Sequence, residues 1–561
     1  NLINYIKGDS SKESYDLFRP RDSLIGDIIN SNPTYVDGDT PMIYVGANDG
    51  MLHGFNAKNG KEVFAYVPTT IFPDLYKLSL TENFKHRMMV DGAISVYEVE
   101  GRKMLFSGLG HGGRGYFSLD ITNPNTSATG IVKWEINSSS AGFSKLGYTF
   151  AKFKVVEING TSYGVVANGY DGGGDAVLYL IDLSDGSKIA EAVITGASGL
   201  STPAIVKNGS DVYVYAGAMD GNVYKFKISK TSLGVVITKA SNPFFNGSSD
   251  QPITVEPTII NYHPGTEKKG VLLAFGTGRY LTKEDHNDGS DYAKQQLGDG
   301  VDAPKTQAIY LIGDHDVKDL ESGNFGVSAL NARSFSESGG VRITDYPLEG
   351  EEKNFSIWGK DSWFDGNTGT KRGWYMELSN AERVITKAYM FAHKTKEYEN
   401  SKSEENVNPT NYQAGVVVFS TLIPGCNECD NATTGWLMAL RAYDGKANYM
   451  SFDTNKDHIL NDKDSVSEKT GGSDKTGYCG IKQDNGEFAV SGFTMVRRLD
   501  DKYEPEYDGN NKPDGDNFGT VDLIGVAAGK TQIYNVTLRN NDITGELRKR
   551  TSWKELRRSS R

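Results

Sequence analysis

Cysteine is almost missing from this sequence: 561 residues contain three, Cys426, Cys429 and Cys479. A structural zinc site needs four ligands at matched spacing, and no second Cys-x-x-Cys or His pair accompanies Cys426 and Cys429. One disulfide plus one free thiol is the expected arrangement, with the pairing left open. Long apolar runs are missing as well. No stretch approaches the ~20 residues that cross a bilayer as a helix, so no transmembrane segment is expected. Positive charge is in deficit, with 60 Lys and Arg against 72 Asp and Glu and a net charge of −12. That balance argues against nucleic acid or anionic lipid as a partner, since both are held by basic surface. Proline is sparse, 17 residues against 64 glycines, while aromatics make up 11%. Turns built on glycine between short strands of aromatic and β-branched residues are an all-β composition.

A repeated pattern organises the chain. Met42 to Val63 reads as a strand, a turn at Asn48-Asp49-Gly50, a second strand, a turn at Lys58-Asn59-Gly60 and the start of a third. The same order recurs at Val214 to Phe226 around Asp220-Gly221. Looser copies occupy 106–120, 166–186, 274–312 and 435–445. A small sheet cannot bury both faces alone, so stacked copies predict a β-propeller, here of about seven blades. The Asp-Gly pairs are read as hairpin chemistry rather than ligands, because they supply the positive φ angles of a type I′ turn. The whole chain, 1–561, is read as one propeller domain. Within it, residues 1–20 read as a linker from a preceding region and Ile71 to Leu78 as a short helix. Residues 283–305, 393–411 and 446–475 read as inserted loops.

The last insertion carries the strongest metal signal. Asp453, Asn455, Asp457 and Asn461 place oxygen side chains at the first, third, fifth and ninth positions of a short loop. Ile459 stands at the seventh, where an EF-hand offers a backbone carbonyl. Calcium takes six to eight oxygens in flexible geometry, so this spacing predicts a calcium loop with those five residues as ligands. His458 replaces the usual glycine at the sixth position, Asp464 replaces the glutamate at the twelfth, and no amphipathic helix flanks the segment. It is therefore a lone loop rather than an EF-hand. The acidic run Asp508 to Asp516 lacks a comparable register.

Several segments together resemble the PilC/PilY family of type IV pilus assembly proteins and adhesins. They are Leu24 to Val36, Tyr44 to Phe55, His86-Arg87-Met88-Met89-Val90-Asp91-Gly92, Gly108 to Tyr116, Phe275-Gly276-Thr277-Gly278-Arg279-Tyr280-Leu281, and Thr551 to Leu556. They stand in the family's order and span nearly the whole chain. The resemblance implies a modified, quinoprotein-like propeller with loop and short-helix insertions. It also implies a calcium loop on Asp453, Asn455, Asp457 and Ile459, with Asn461 where the family usually has Asp, and Asp462 or Asp464 available to substitute. By the same resemblance the protein is an extracellular, outer-membrane-associated component of the pilus tip in a Gram-negative bacterium. It would meet minor pilins and a host surface receptor, oppose pilus retraction under calcium control, and serve adhesion and twitching motility.

Two other functions compete. The repeat also resembles quinoprotein dehydrogenases, which hold calcium and a quinone in the channel beside vicinal cysteines. No two cysteines are adjacent here, and the candidate loop follows a blade turn at Gly445 rather than an inner strand. His111, between two glycines, is read as a turn residue rather than a base. No Gly-x-Ser-x-Gly elbow occurs. A non-enzymatic role is therefore expected, with a glycan-binding propeller as the remaining alternative.

Overall fold

Strands in which nearly every residue is apolar must be covered on both faces, and that requirement builds this molecule. In Ala176–Asp182, Leu178 and Leu180 point to one side and join Val212, Val214 and Phe226. Val177, Tyr179 and Ile181 point to the other and join Phe106, Tyr116 and Trp134. Each side chain buried this way contributes on the order of 1.5–3 kcal/mol. The computed structural model describes residues 1–14, 17–125, 128–262, 270–287, 289–290, 303–346, 371–390, 416–425, 434–442 and 444–447, and later the strand stretches 475–483, 493–497, 518–527 and 530–539.

Among the described residues the strands form seven sheets, in agreement with the expected propeller. The first holds Thr34–Val36, Met42–Gly46, Leu52–Asn56 and Glu62–Tyr66; the second, Ile94–Val99, Arg102–Gly108, Gly115–Asp120 and Val132–Asn137. The third holds Lys154–Ile158, Thr161–Ala167, Ala176–Asp182 and Lys188–Ile194. The fourth is built on Ala204–Asn208, Asp211–Gly217, Val223–Thr231 and Gly234–Lys239. The fifth uses Thr258–Tyr262, Gly270–Gly276, Ala308–Asp314 and Gly373–Glu377, and the sixth Tyr389–Met390, Val416–Ser420, Gly435–Arg441 and Lys475–Gln483. The seventh sheet has three strands, Phe493–Arg497, Phe518–Ala527 and Lys530–Arg539. Among the described residues, apolar clusters fill each interface between successive sheets from the first to the sixth.

Each sheet runs up and down in sequence order, and first strands of successive blades lie side by side, as for the fourth and fifth and for the fifth and sixth. The first strand is therefore the inner one. This order places the turns between second and third strands, and the connections from one blade to the next, at the same end of the axis.

The glycine turns differ from the expected type I′ form. At Ala47 to Met51, Ala47 N donates to Met51 O at 2.9 Å and Gly50 N to Ala47 O at 3.3 Å. Gly50 has φ 96° while Asp49 keeps a negative φ. This is a three-residue loop with a single glycine bulge, repeated at Ala218 to Asn222 with Gly221. A type I′ turn needs two positive φ angles, and a three-residue loop relieves aspartate of that strain.

Asp-Gly turns between third and fourth strands also join blades. The Trp134 Nε1 group donates to Leu183 O at 2.9 Å, and a Cβ on Gly186 would lie 2.9 Å from the Trp134 ring. Three blades on, Trp374 Nε1 donates to Ala442 O at 2.9 Å, and a Cβ on Gly445 would lie 2.6 Å from that ring. Glycine is required twice over, by left-handed φ and by the indole packed against it.

Insertions modify this plan. Thr69–Ile71, Phe72–Leu75 and Tyr76–Ser79 form consecutive short helices where the sequence predicted one. The segment 1–20 contains a helix, Leu2–Ile6, whose Tyr5 is buried and donates its hydroxyl to Arg19 O and Leu78 O at 3.0 and 3.2 Å. Asn331–Arg333 adds in parallel to the fifth sheet, and the hairpin Ser336–Ser338 with Val341–Tyr346 adds to the outside of the sixth.

Candidate functional site

The predicted calcium ligands Asp453, Asn455, Asp457, Ile459 and Asn461 lie outside the described residues, as do Asp462, Asp464, the run Asp508 to Asp516, and Thr551 to Leu556. The two ends of their insertion are described. Arg441 N donates to Lys446 O at 2.9 Å and Leu440 pairs with Ala447, which starts a fourth strand for the sixth blade. That strand is resumed at Lys475–Gln483, where Leu437 pairs with Ile481. The insertion thus leaves and rejoins the chain on outer strands. Among the described residues, no group of three or more His, Cys, Asp or Glu side chains is placed to hold a metal. Cys479 is a free, buried thiol, while Cys426 and Cys429 lie outside the described residues.

What the fold does bring together is three of the segments that carry the family resemblance. His86 to Gly92 leads into the second blade, Gly108 to Tyr116 forms its turn, and Phe275 to Leu281 begins the insertion of the fifth. A Cβ on Gly112 would lie 1.6 Å from Met89 O, so the first two segments meet backbone to backbone. Thr149, on the connection into the third blade, ties them down. Its carbonyl accepts from Gly110 N at 3.2 Å, and its hydroxyl accepts from Leu109 N and donates to Gly115 O, both at 2.8 Å.

His111 sits on a short 3-10 turn, Gly110–Gly112, the turn position expected of it. Its Nε2 donates to Leu281 O at 3.0 Å, and its ring meets Phe150 edge-on at 4.5 Å. A carbonyl can only accept, so Nε2 carries the proton. The other nitrogen, Nδ1, lies 3.6 Å from Asp91 Oδ2, too far for a hydrogen bond. Asp91 is buried and accepts from Asn30 N and Nδ2 at 2.9 and 2.6 Å. Because His111 and Leu281 belong to the second and fifth blades, their bond crosses the end of the propeller axis and caps it.

The fifth-blade side of the cap is rigidly held. The Asp285 carboxylate accepts from Leu281 N at 2.8 Å, Thr282 N at 2.9 Å and Arg279 Nε at 2.6 Å. Burial pushes its pKa up, yet these donors outweigh burial and hold it below the usual carboxylate range. Arg383, from the connection into the sixth blade, donates to the carbonyls of Arg279 and Asp285 at 3.0 and 2.7 Å. Sequence reasoning named neither Thr149 nor Arg383; the partners named for them lie 34 to 104 positions away, with no local signature.

A concavity of ≈ 230 Å³ lies where Tyr5, Ile6 and residues 19–27 meet the first blade. Arg19 stacks on Phe84 at 4.0 Å and Arg21 on Tyr5 at 3.8 Å. The Asp27 carboxylate bonds to His86 Nε2 at 2.9 Å and accepts from Asn48 Nδ2 at 3.1 Å. Burial raises the Asp27 pKa, but these partners prevail and lower it. The lining is suited to recognition by charge and ring stacking.

A propeller with a polar, loop-capped axis and an insertion that leaves and rejoins on outer strands of its sixth blade is the class defined by this geometry. The model of the PilY1 beta-propeller domain family matches residues 29–319, and the chain belongs to that family. The type IV pilus biogenesis factor PilY1 of Pseudomonas aeruginosa strain UCBPP-PA14 is 29% identical over 535 residues, covering 82% of this chain and 42% of that protein. A PilY1 homolog of Xylella fastidiosa strain Temecula1 is 27% identical over 519 residues, covering 80% of this chain and 31% of that protein. The chain therefore spans less than half the length of these relatives. The crystal structure of the P. aeruginosa PilY1 C-terminal domain superposes with a TM-score of 0.60 at 22% identity, covering 88% of this chain and 92% of that one, a likeness of fold.

Proposed function

We propose that this chain is the propeller of a type IV pilus biogenesis factor, working at the pilus tip on the cell surface of a Gram-negative bacterium. In this reading it binds calcium through Asp453, Asn455, Asp457, Ile459 and Asn461, and calcium occupancy sets how strongly the protein opposes pilus retraction. Minor pilins of the tip complex and a host surface receptor are its partners, and adhesion and twitching motility its outputs. The observation that carries the reading is membership of the PilY1 propeller family, whose curated relatives are named as pilus biogenesis factors. The ligand spacing of the loop supports calcium. Anchoring of the insertion on outer strands of the sixth blade supports a switch over a channel cofactor, because a quinone would need the axis. Losing the cation would leave several carboxylates in mutual repulsion and relax the loop from the surface it presents.

An Asp453→Ala, Asp457→Ala variant tests this. Calorimetry on the wild-type chain should show one calcium site of micromolar to millimolar affinity, absent in the variant. The variant strain should fold the protein normally but carry fewer surface pili, restored by deleting the retraction motor. Calcium binding that survives both substitutions would refute the site, and abundant, normally retracting pili would refute the switch.

A further inference from the structure

The connection into the third blade alternates strictly. Thr149, Ala151 and Phe153 are buried, Phe153 stacking on Phe106 at 4.3 Å. Their even-numbered neighbours turn the other way, where Phe150 meets the axial His111 and Lys152 is open to water. Lys154, next on that side, opens the inner strand and pairs with Glu256 Oε2 at 2.8 Å. Glu256 leads into the inner strand of the fifth blade. A side chain can pass from the third blade to the fifth, beyond the fourth, only near the axis. Lys387, leading into the inner strand of the sixth blade, pairs with Glu256 Oε1 at 2.6 Å. Lys154, Glu256 and Lys387 therefore converge from three blades on the channel, beneath the cap made by His111 and Leu281.

Charge at this point is unbalanced. Lys154 and Lys387 share one carboxylate, both of whose oxygens are taken, and Lys152 has no hydrogen-bonding partner for its ammonium among the described residues. The Lys152 ammonium reaches water but is partly walled in by protein, and this partial desolvation, with Lys154 and Lys387 close by, pushes its pKa below the ordinary lysine range despite the opposing pull of Glu256. Among the described residues, three cations thus face one anion, in a chain whose net charge is −12. The arrangement is held in place, since Thr202 Oγ1 accepts from Lys152 N at 2.9 Å and Thr258 Oγ1 donates to Ala388 O. These bonds fix the backbone from which Lys152 and Lys387 project, so the chain segments that carry the lysines are held together.

We propose that the axial channel contains a binding site for a small oxyanion, with Lys152 as its free cation and Lys154 and Lys387, aligned by Glu256, completing the cage. Ammonium groups act as point charges toward phosphate-like oxygens, and a channel walled by protein focuses their field. The ligand class is a compact, multiply charged oxyanion, either free phosphate or a phosphate group on a larger molecule.

Calorimetry with inorganic phosphate on the whole chain, in calcium-free buffer at fixed ionic strength, tests the site independently of the calcium loop. Saturable binding at one site is expected, with Lys152→Met weakening it about tenfold or more. Glu256→Gln should tighten binding several-fold, because the lysines lose their internal counter-charge. A phosphomonoester that matches inorganic phosphate would assign the site to phosphate groups in general, and one that fails to bind would assign it to the free ion. No saturable phosphate binding to the wild type or to Glu256→Gln would overturn the proposal. So would equal affinity in Lys152→Met that retains wild-type near-ultraviolet circular dichroism.

Discussion

Lys225 and Asp314, 89 positions apart, meet at 2.6 Å with both side chains fully buried between the fourth and fifth blades. Each has further partners. Asp314 accepts from Tyr215 Oη at 2.6 Å and Ser322 Oγ at 2.8 Å, and Lys225 donates to Asp319 O at 2.6 Å. Burial pulls the Lys225 pKa down and Asp314 opposes it. Removing one partner leaves the other charge stranded, so Asp314→Asn or Lys225→Met should each cost about 3–5 kcal/mol. The double variant should cost less than the sum. Denaturant unfolding of the four proteins measures the coupling, and simple additivity would show that the pair does not act as a unit.

His53 presents both ring nitrogens to carboxylates, Nε2 to Asp49 Oδ2 at 3.0 Å and Nδ1 to Glu62 Oε1 at 2.6 Å. Burial lowers the imidazole pKa, but the two acids outweigh it and raise it above its ordinary value. A raised folded pKa contributes stability that is complete below the unfolded value, about 6.5, and is lost as pH climbs through the folded value. The difference in Tm between wild type and His53→Gln should accordingly be largest near pH 6 and shrink toward pH 9. A gap independent of pH would remove charge from the account.

Cys479 lies in the apolar interface of the fifth and sixth blades, and burial pushes its thiol up to about 12, with Arg342 pulling weakly the other way. Only a thiolate attacks a disulfide reagent, so the native thiol should be inert. In a Cys426→Ser, Cys429→Ser background, Ellman's reagent should report no thiol in the folded chain and one after guanidinium is added. Rapid labelling of the native protein would place Cys479 at a surface.

Strands, their apolar runs and the glycine turns were legible in the sequence because each is set by neighbours a few residues apart. Leu178 and Tyr179 fall in a repeat copy at 166–186 that needed no partner to be recognised, since a blade covered on both faces needs only that its residues be apolar. The family segments were legible for the same reason: Gly112 stands out as a glycine before anything shows that Met89 lies against it. The proposed calcium loop rests on ligand spacing alone, because a loop that wraps one ion draws its ligands from a single stretch.

Pairings across blades were not legible. Lys154, Glu256 and Lys387 look in sequence like ordinary surface charges at strand ends, and nothing near His111 points to Leu281, 170 residues away. Parallel additions such as Phe245–Asn246 beside Phe325–Gly326 are too short to leave a periodic trace. The sequence determined that there would be blades and where each would turn. Closing them around an axis decided which charges meet, because only that closure carries residues a hundred positions apart into one low-dielectric space where their interaction has weight.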